Sequence, residues 1–286
     1  MRFSTSWLGF VIFGACLVST VSTSMAEETP AEPKLSVRSQ FTFGVMGASR
    51  PSKFLHEETI YVRNEVQGVT IDPKTRQCSL TLDFTVQDSD RTEIKRMTQH
   101  EKKQLPMGGG YFTGALFFKI PELRKGSYIL EIRVQDNLSK ATAKIDLPFE
   151  VAAIDAFGAK NVLLTQDRQK RIFTNSYCST GESIYLHADI VNYEAREGQV
   201  DLMFEIKLVD EAGTTIVEKS YTEQRQPPQS RFGEAKVAYT LNAEVFTSRP
   251  GKFHIVLIAH DLLAGTYDQV QVPLFVSDPF QDFAAP

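Results

Sequence analysis

The chain has 286 residues, with 31 Lys plus Arg, 35 Asp plus Glu and a formal net charge of −4. This length suits about two domains. A hydrophobic fraction of 42% and a charged fraction of 23% are ordinary for a globular protein and exclude disorder throughout the chain. An isoelectric point of about 5.8 gives no basic footprint for phosphate, so we expect no nucleic-acid partner.

The first 26 residues have the pattern of an export signal. Arg2 is the only charged residue before Glu27, an apolar core runs from Trp7 to Val18, and small residues precede a cleavage site after Ala26. Serine and threonine residues crowd in from Ser19 onward, which disfavours a membrane-spanning anchor. We therefore predict an exported protein that is periplasmic, cell-surface or secreted, with no transmembrane segment in the mature chain.

The same segment allows an alternative, which is lipidation at Cys16. The run Phe13-Gly14-Ala15-Cys16 is similar to a lipobox, although phenylalanine stands where leucine is usual. A lipid would hold the protein on a membrane, whereas cleavage after Ala26 would free it. The mature chain would retain only Cys78 and Cys178. Export permits a disulfide between them, but two buried thiols are the simpler expectation.

An internal repeat covers most of the mature chain. Glu58-Thr59-Ile60-Tyr61-Val62 returns as Glu182-Ser183-Ile184-Tyr185-Leu186, and Gly126–Asp136 returns as Gly251–Asp261, at offsets of 124 and 125 positions. Several landmarks in one order at a near-constant offset indicate a duplicated domain. We therefore expect a leader at 27–33, a first domain at 34–151, a linker at 152–156, a second domain at 157–277 and a tail at 278–286.

Both halves have the pattern of β-strands. Apolar and polar residues alternate in 60–66, 80–86 and 184–190, and turn residues such as Asp72-Pro73 separate such runs. Roughly six to eight strands in about 120 residues, with no helical period, are typical of a sandwich. The sequence therefore predicts an all-β protein with two tandem antiparallel sandwiches.

The run Pro121–Val151 and its repeat Pro250–Val276 resemble the end of an immunoglobulin-like sandwich. Each has a turn with proline, a Gly-x-aromatic start and a strand that ends in Asp. On these residues, each half is similar to bacterial immunoglobulin-like, fibronectin-III-like and macroglobulin-like domains. The resemblance implies that Tyr128 is a corner tyrosine whose hydroxyl binds nearby backbone, whereas Phe253 cannot make that bond. The thioester signature of macroglobulins is absent, so no covalent protease trap is implied.

The sequence contains no complete pattern for a catalytic, metal or cofactor site. It has no Gly-x-Ser-x-Gly elbow and no His or Cys pair with zinc spacing, and Gly108-Gly109-Gly110 lacks the Lys-Ser/Thr of a phosphate loop. That glycine run is instead expected at a hairpin tip before a strand from Tyr111 to Ile120. Asp88 and Asp136 could offer oxygens to calcium, but turn formation is the simpler role. We predict no cofactor and no enzyme.

Exposed tyrosines and one polar strand face are the first candidates for a binding surface. Tyr61 and Tyr185 occupy equivalent positions and are predicted to point outward, and with Tyr193 they could stack on sugar rings. His187 and Asp189 follow Tyr185 on one strand face and could hydrogen-bond or share a metal ion. A solvated, charge-bearing face is the simpler interpretation of this pattern.

Loops and the domain junction are the second candidates. Lys102 and Lys103 give local positive charge within the predicted polar loop Gln99–Gly110, where an acidic partner could bind. The loop Gln224–Arg231 lies at the equivalent place in the second repeat, and the linker Ala152–Ala156 forms the junction.

These patterns favour a non-enzymatic exported protein that acts in binding, adhesion or spacing at the cell envelope. Its partner is expected to be another envelope or extracellular protein. One alternative is a carbohydrate-binding accessory module that uses the exposed tyrosines, and a more distant one is a hydrolase of unrecognised type. Fold alone does not decide among these functions.

Limited proteolysis tests the predicted boundaries. A protease should cut first before Lys34 or between Val151 and Phe157 and leave folded halves, because exposed linkers are preferred cleavage sites. The fragments can be identified by mass spectrometry. A first cut within 111–151 would contradict the predicted duplication.

Overall fold

The computed structural model describes residues 34–105, 110–119, 123–174, 176–197, 199–225 and 238–278. The predicted signal, the leader, Gly108 and Gly109, most of the Gln224–Arg231 loop and the end of the tail lie outside these ranges. The strands are β1 (Ser36–Thr42), β2 (Lys53–Phe54), β3 (Ile60–Gln67), β4 (Gln77–Gln87), β5 (Glu93–Gln104), β6 (Tyr111–Phe118), β7 (Gly126–Asp136), β8 (Thr142–Val151), β9 (Gly158–Thr165), β10 (Tyr177–Ser179), β11 (Ser183–Val191), β12 (Val200–Asp210), β13 (Thr215–Arg225), β14 (Tyr239–Phe246), β15 (Gly251–Asp261) and β16 (Thr266–Ser277). In the described ranges no helix is long and apolar enough to cross a membrane.

The two sandwiches contain the same pair of sheets. The first has a three-stranded sheet in the order β1-β3-β6 and a five-stranded sheet in the order β2-β8-β7-β4-β5. The second has β9-β11-β14 and β10-β16-β15-β12-β13, so each strand corresponds to the strand eight places earlier. The named strands pair antiparallel, except for the short parallel pairs β2–β8 and β10–β16. The predicted all-β fold with two antiparallel sandwiches is confirmed.

Alternating side chains build one core in each sandwich. Along β4, Leu80 and Leu82 point inward and are fully buried, while their neighbours are half-buried. Leu202 and Phe204 do the same on β12. Removing these apolar side chains from water is the main source of stability for such a sandwich.

The aspartates that end β7 and β15 organise turns, as the simpler interpretation predicted. Asp136 accepts hydrogen bonds from the N–H groups of Leu138 at 2.8 Å and of Thr70 at 2.7 Å. Burial alone would raise the pKa of Asp136, but its backbone hydrogen bonds, led by that of Thr70, outweigh it and lower the pKa. Asp261 accepts equivalent bonds from Leu263 and Glu194. No group of three or more potential metal ligands occurs among the described residues.

Two further expectations of the sequence are confirmed. The hydroxyl of Tyr128 donates to the carbonyl of Arg124 at 2.9 Å and accepts from its N–H at 3.2 Å, as a corner tyrosine does. Cys78 and Cys178 are free and buried. Burial raises the pKa of both thiols, which keeps them protonated and unreactive.

The polar stretch from Gln99 was wrongly expected to be a loop. Its first six residues, with Lys102 and Lys103, belong to β5, which forms the edge of the large sheet. No residue of β5 is fully buried, and its half-buried face carries Met97, Gln99 and Glu101, so the sequence has no alternation of polar and apolar residues that would identify a strand. Charged side chains on such an edge oppose pairing with other chains. The strand predicted from Tyr111 ends at Phe118.

A hairpin after β1 joins the two sandwiches. The hydroxyl of Thr42 donates to the carbonyl of Gly44, and the N–H of Phe43 donates to the carbonyl of Ala48. A Cβ atom on Gly47 would lie 1.9 Å from the carbonyl oxygen of Phe43, so this tight turn requires glycine. Phe43 is only 3% exposed and packs in the core of the second sandwich, not of the first. The second sandwich therefore borrows a core residue from the first.

The second repeat has the same hairpin with a different composition. The hydroxyl of Thr165 donates to the carbonyl of Asp167, as that of Thr42 does to Gly44. Gln166 donates its N–H to the carbonyl of Ile172 and so takes the place of Phe43. This second hairpin is mostly exposed. The two hairpins therefore share one backbone conformation. The hairpin after β1 has a buried, apolar tip, and the hairpin after β9 has an exposed, polar tip.

Replacing Phe43 tests whether it completes the second core. We expect Phe43→Ala to lower the free energy of unfolding by about 3–5 kcal/mol, because it leaves a cavity among buried side chains. Phe117→Ala is the control, since Phe117 is 64% exposed, and it should cost about 1 kcal/mol or less. Urea unfolding followed by circular dichroism measures both. Equal costs would contradict a core role for Phe43.

Candidate functional site at the junction of the sandwiches

A buried carboxylate, Glu58, connects the two sandwiches. Its Oε1 accepts from Arg50 Nη1 at 2.6 Å and from the N–H of Asn161 at 3.2 Å. Its Oε2 accepts from the N–H of Leu55 at 2.9 Å. Glu182, at the equivalent position of the second repeat, also accepts a hydrogen bond from the N–H three residues earlier, that of Ser179. The added bonds to Arg50 and Asn161 are thus particular to the junction.

Asn161 is the partner of Glu58 on the second sandwich. The pairing of β9 with β11 shifts register beside Asp189, and Asn161 has a φ of 54°, which asparagine tolerates. Its Oδ1 accepts from the N–H of Thr59 at 3.0 Å, and its Nδ2 donates to Asp189 at 2.9 Å. The bulge therefore turns one side chain and its own N–H toward the first sandwich.

The guanidinium of Arg50 completes the network. It donates to the carbonyl of Lys53 at 3.0 Å and lies over the rings of Phe54 and Phe43, at 4.3 and 5.1 Å from their centroids. This arrangement combines a buried ion pair with cation–π contacts. Removing either charge of the Arg50–Glu58 pair would leave the other charge buried without its counter-charge.

The predicted linker is held by hydrogen bonds to both sandwiches. The N–H of Ala152 donates to the carbonyl of Phe54, and Asn192 Nδ2 donates to the carbonyls of Ile154 and Ala156. With Phe43, these contacts make the two sandwiches parts of one compact unit. If a protease cut this linker, the fragment with the second sandwich would lack Phe43 in its core.

A cleft of about 430 Å³ opens beside the linker, and we call it the linker cleft. Its walls are mostly apolar and come from both sandwiches and the linker, with Phe43, Phe54, Leu55, Ala156 and Phe157 among them. Lys53 and the consecutive residues Asp268–Gln271 supply polar groups at the same cleft. Apolar walls with a few polar groups, at an interface between domains, are typical of binding sites.

Two strand edges border the linker cleft. Side chains of consecutive strand residues point to opposite faces, so Asp268–Gln271 can all line one cleft only if the cleft follows the edge of β16. In the described part of the chain, no strand pairs with β16 on that side before Phe275, where β10 begins to pair. On the other wall lies β2, whose one paired neighbour is β8.

The predicted surface residues are spread over three sheets. Tyr61 lies half-buried on β3 beside Phe117, with ring centroids 6.1 Å apart. Tyr185 lies at the equivalent place on β11, next to the guanidinium of Arg168. The carboxylate of Asp189 accepts a hydrogen bond from Asn161 at the junction. Lys102 and Lys103 lie on the separate edge strand β5, so these six residues do not form one surface.

His187 is not on a solvated face, which corrects the prediction. The side chain is fully buried, and its Nε2 lies 2.6 Å from the hydroxyl of Thr165 and its Nδ1 2.5 Å from Asn242 Oδ1. The hairpin that follows β9 covers this face of β11 and brings Lys170 close to the ring. Burial lowers the pKa of His187, and the positive charge of Lys170 lowers it further.

Tyr193 is also buried, at 2% exposure, so it cannot offer a ring to a sugar. Phe43, Arg50 and Glu58, which define the junction, are not among the site residues predicted from the sequence. A signal existed for Glu58, since it begins the repeated Glu-x-Ile-Tyr motif, where a carboxylate in both copies points to a structural contact. Phe43 had no such signal, because an apolar residue after a strand is ordinary.

The stability of the protein should depend on pH through His187. The folded state resists protonation of this ring, whereas the unfolded chain protonates near its ordinary pKa of 6.5. Unfolding therefore becomes more favourable as the pH falls below about 6.5. Above that pH the ring is neutral in both states, and His187 no longer lowers the free energy of unfolding. Urea midpoints between pH 5 and 8 should show a smaller decline for His187→Gln than for the wild type. Equal declines would contradict this assignment.

Comparisons with known proteins find no matching family model and no matching curated protein. Among solved structures, the chain is similar to the C-terminal domain of the Streptococcus agalactiae AgI/II polypeptide BspA, at 8% identity over 84% of this chain and 99% of that one, with a TM-score of 0.28. It is similar to the C-terminal domain of the Streptococcus pyogenes antigen I/II-family protein AspA, at 7% identity over 84% and 99%, with a TM-score of 0.30. It is also similar to dimeric latent PorU from Porphyromonas gingivalis, at 14% identity over 89% of this chain and 21% of that one, with a TM-score of 0.33. Similarity of this size carries no information on function.

Proposed function

We propose that this chain is an exported, non-enzymatic binding protein that holds an extended segment of a partner protein in the linker cleft. The observation that carries the proposal is the position of this cleft along the edge of β16, where no strand of the described residues pairs with it on that side before Phe275. The export pattern of residues 1–26 favours an envelope or extracellular partner.

Strand addition is the mode of binding that this geometry supports. An extended segment laid along β16 would exchange backbone hydrogen bonds with its open edge, which gives affinity without a sequence requirement. Alternate side chains of the segment would enter the apolar cleft between Phe54 and Phe157, which gives specificity. Gln269 and Gln271 are exposed on the same strand and remain available for polar contacts at the rim.

The junction network prepares the cleft for binding. Glu58, Arg50 and Asn161 fix the two walls relative to each other before a partner arrives. A preformed cleft avoids the entropic cost of ordering its walls on association. The tandem sandwich is thus more than a spacer, because its joint is the binding element.

Site-specific photo-crosslinking tests this function in the native cells. With p-benzoylphenylalanine at Gln271, we expect an adduct with one protein that maps to a single short segment of it. The control carries the same group at Gln104, an exposed residue at the end of β5, and should give no such adduct.

A second substitution tests the cleft itself. Ala156→Trp should fill the cleft and abolish the Gln271 adduct while the melting temperature stays unchanged, whereas Ala212→Trp in an exposed turn should not. An adduct that survives in the filled variant, or that forms equally at Gln104, would overturn the proposal.

A further inference from the structure

A second cleft, which we call the aromatic groove, lies between the outer faces of two sheets. Its volume is about 370 Å³, which is within the range of small-molecule sites, and it shares no lining residue with the linker cleft. One wall is the small sheet of the first sandwich and the other the large sheet of the second. Its polar and aromatic lining residues include Gln40, Ser49, Arg63, Tyr177, His254 and Phe275.

Two exposed rings form one wall of the aromatic groove. Tyr177 and Phe275 are 57% and 38% exposed, and their centroids lie 5.3 Å apart. They are direct neighbours in the parallel pairing of β10 with β16, so the strands hold the pair in place. Such flat apolar faces in a groove suit a ring-shaped ligand that stacks through its C–H groups.

The opposite wall offers a guanidinium with unused donors. Arg63 Nε is buried without a hydrogen-bond partner among the described residues, although Glu65 Oε1 lies 3.3 Å away outside hydrogen-bond geometry. The buried Nε is closed to a ligand in the groove, so the donors that this wall offers are Nη1 and Nη2, which make no hydrogen bond with another described residue. The same guanidinium presents a planar fork, which matches a carboxylate.

Two cationic side chains line the aromatic groove. Lys252 lines it with Arg63, and Glu211 is the one carboxylate on its walls. Lys252 and Glu211 lie 3.3 Å apart, but both side chains are more than half exposed, so this pair contributes little. Arg63 is itself paired with Glu65, so the terminal N–H groups of Arg63, and not an unpaired charge, are what a carboxylate would contact.

We propose that the aromatic groove binds a carboxylated saccharide, such as a uronic acid residue of a polysaccharide. The sugar ring stacks on Tyr177 and Phe275, and its carboxylate accepts from Arg63. Its hydroxyl groups find donors and acceptors in Gln40 and His254. This site is independent of strand addition at β16, so either assignment can stand without the other.

Calorimetric titration of the mature chain with oligogalacturonate tests the proposal, with a neutral galactose oligomer of equal length as the comparison. We expect the carboxylated probe to bind about tenfold more tightly or better, the difference that one charge-assisted contact provides. Arg63→Gln should remove this difference, and Tyr177→Ala should weaken both probes. Tyr267→Ala is the matched control, because Tyr267 is an exposed tyrosine of β16 outside the groove, and it should change neither affinity.

Three results would overturn the assignment. One is the absence of saturable binding by the carboxylated probe to the folded wild type. Another is equal affinity for both probes that Arg63→Gln leaves unchanged. The third is equally tight binding of a polyglutamate peptide at the same residues, which would make the groove a site for acidic polypeptide. Circular dichroism of each variant confirms that a loss of binding is not a loss of fold.

Discussion

The carboxylate of Glu58 is the interaction on which the arrangement of the two sandwiches depends. A charge buried this deeply is unfavourable unless donors surround it, and here they come from Arg50, from the turn at Leu55 and from the backbone of Asn161 on the other sandwich. Because one of these donors, the N–H of Asn161, belongs to the other sandwich, satisfying the carboxylate also fixes the two sandwiches relative to each other. The walls of both clefts belong to different sandwiches, so the shapes of the clefts depend on this network together with Phe43 and the bonded linker.

The sequence predicted the fold because its evidence is local and is repeated. The alternation of apolar and polar residues along β4 and β12 is enough to predict strands. The recurrence of the same motifs in the same order predicts the duplication. Asp136 and Asp261 show the same logic at residue level, since an aspartate at a strand end has few roles other than organising the turn after it. Tyr128 was predictable because the corner contact spans only four residues.

The candidate sites were not predictable, because their residues meet through pairing that no local pattern encodes. Tyr177 and Phe275 are far apart in the chain and become neighbours only when β10 pairs parallel with β16. His187 obeyed the alternation that predicts an exposed residue, yet a hairpin from another part of the repeat covers it. Lys102 is the converse case, since a strand whose half-buried face is mostly polar leaves no hydrophobic period to detect.

The two hairpins that follow β1 and β9 make the two repeats structurally unequal. The first donates Phe43 to the sandwich after it, so the first repeat is a donor and the second an acceptor. The second hairpin has Arg168 and Arg171 near its tip, each with its side chain mostly in water. Burying these cations in the apolar socket of another copy would cost more than the contact returns. The second hairpin therefore does not repeat the contact that the first one makes, and the two copies of one backbone turn have different roles in the molecule.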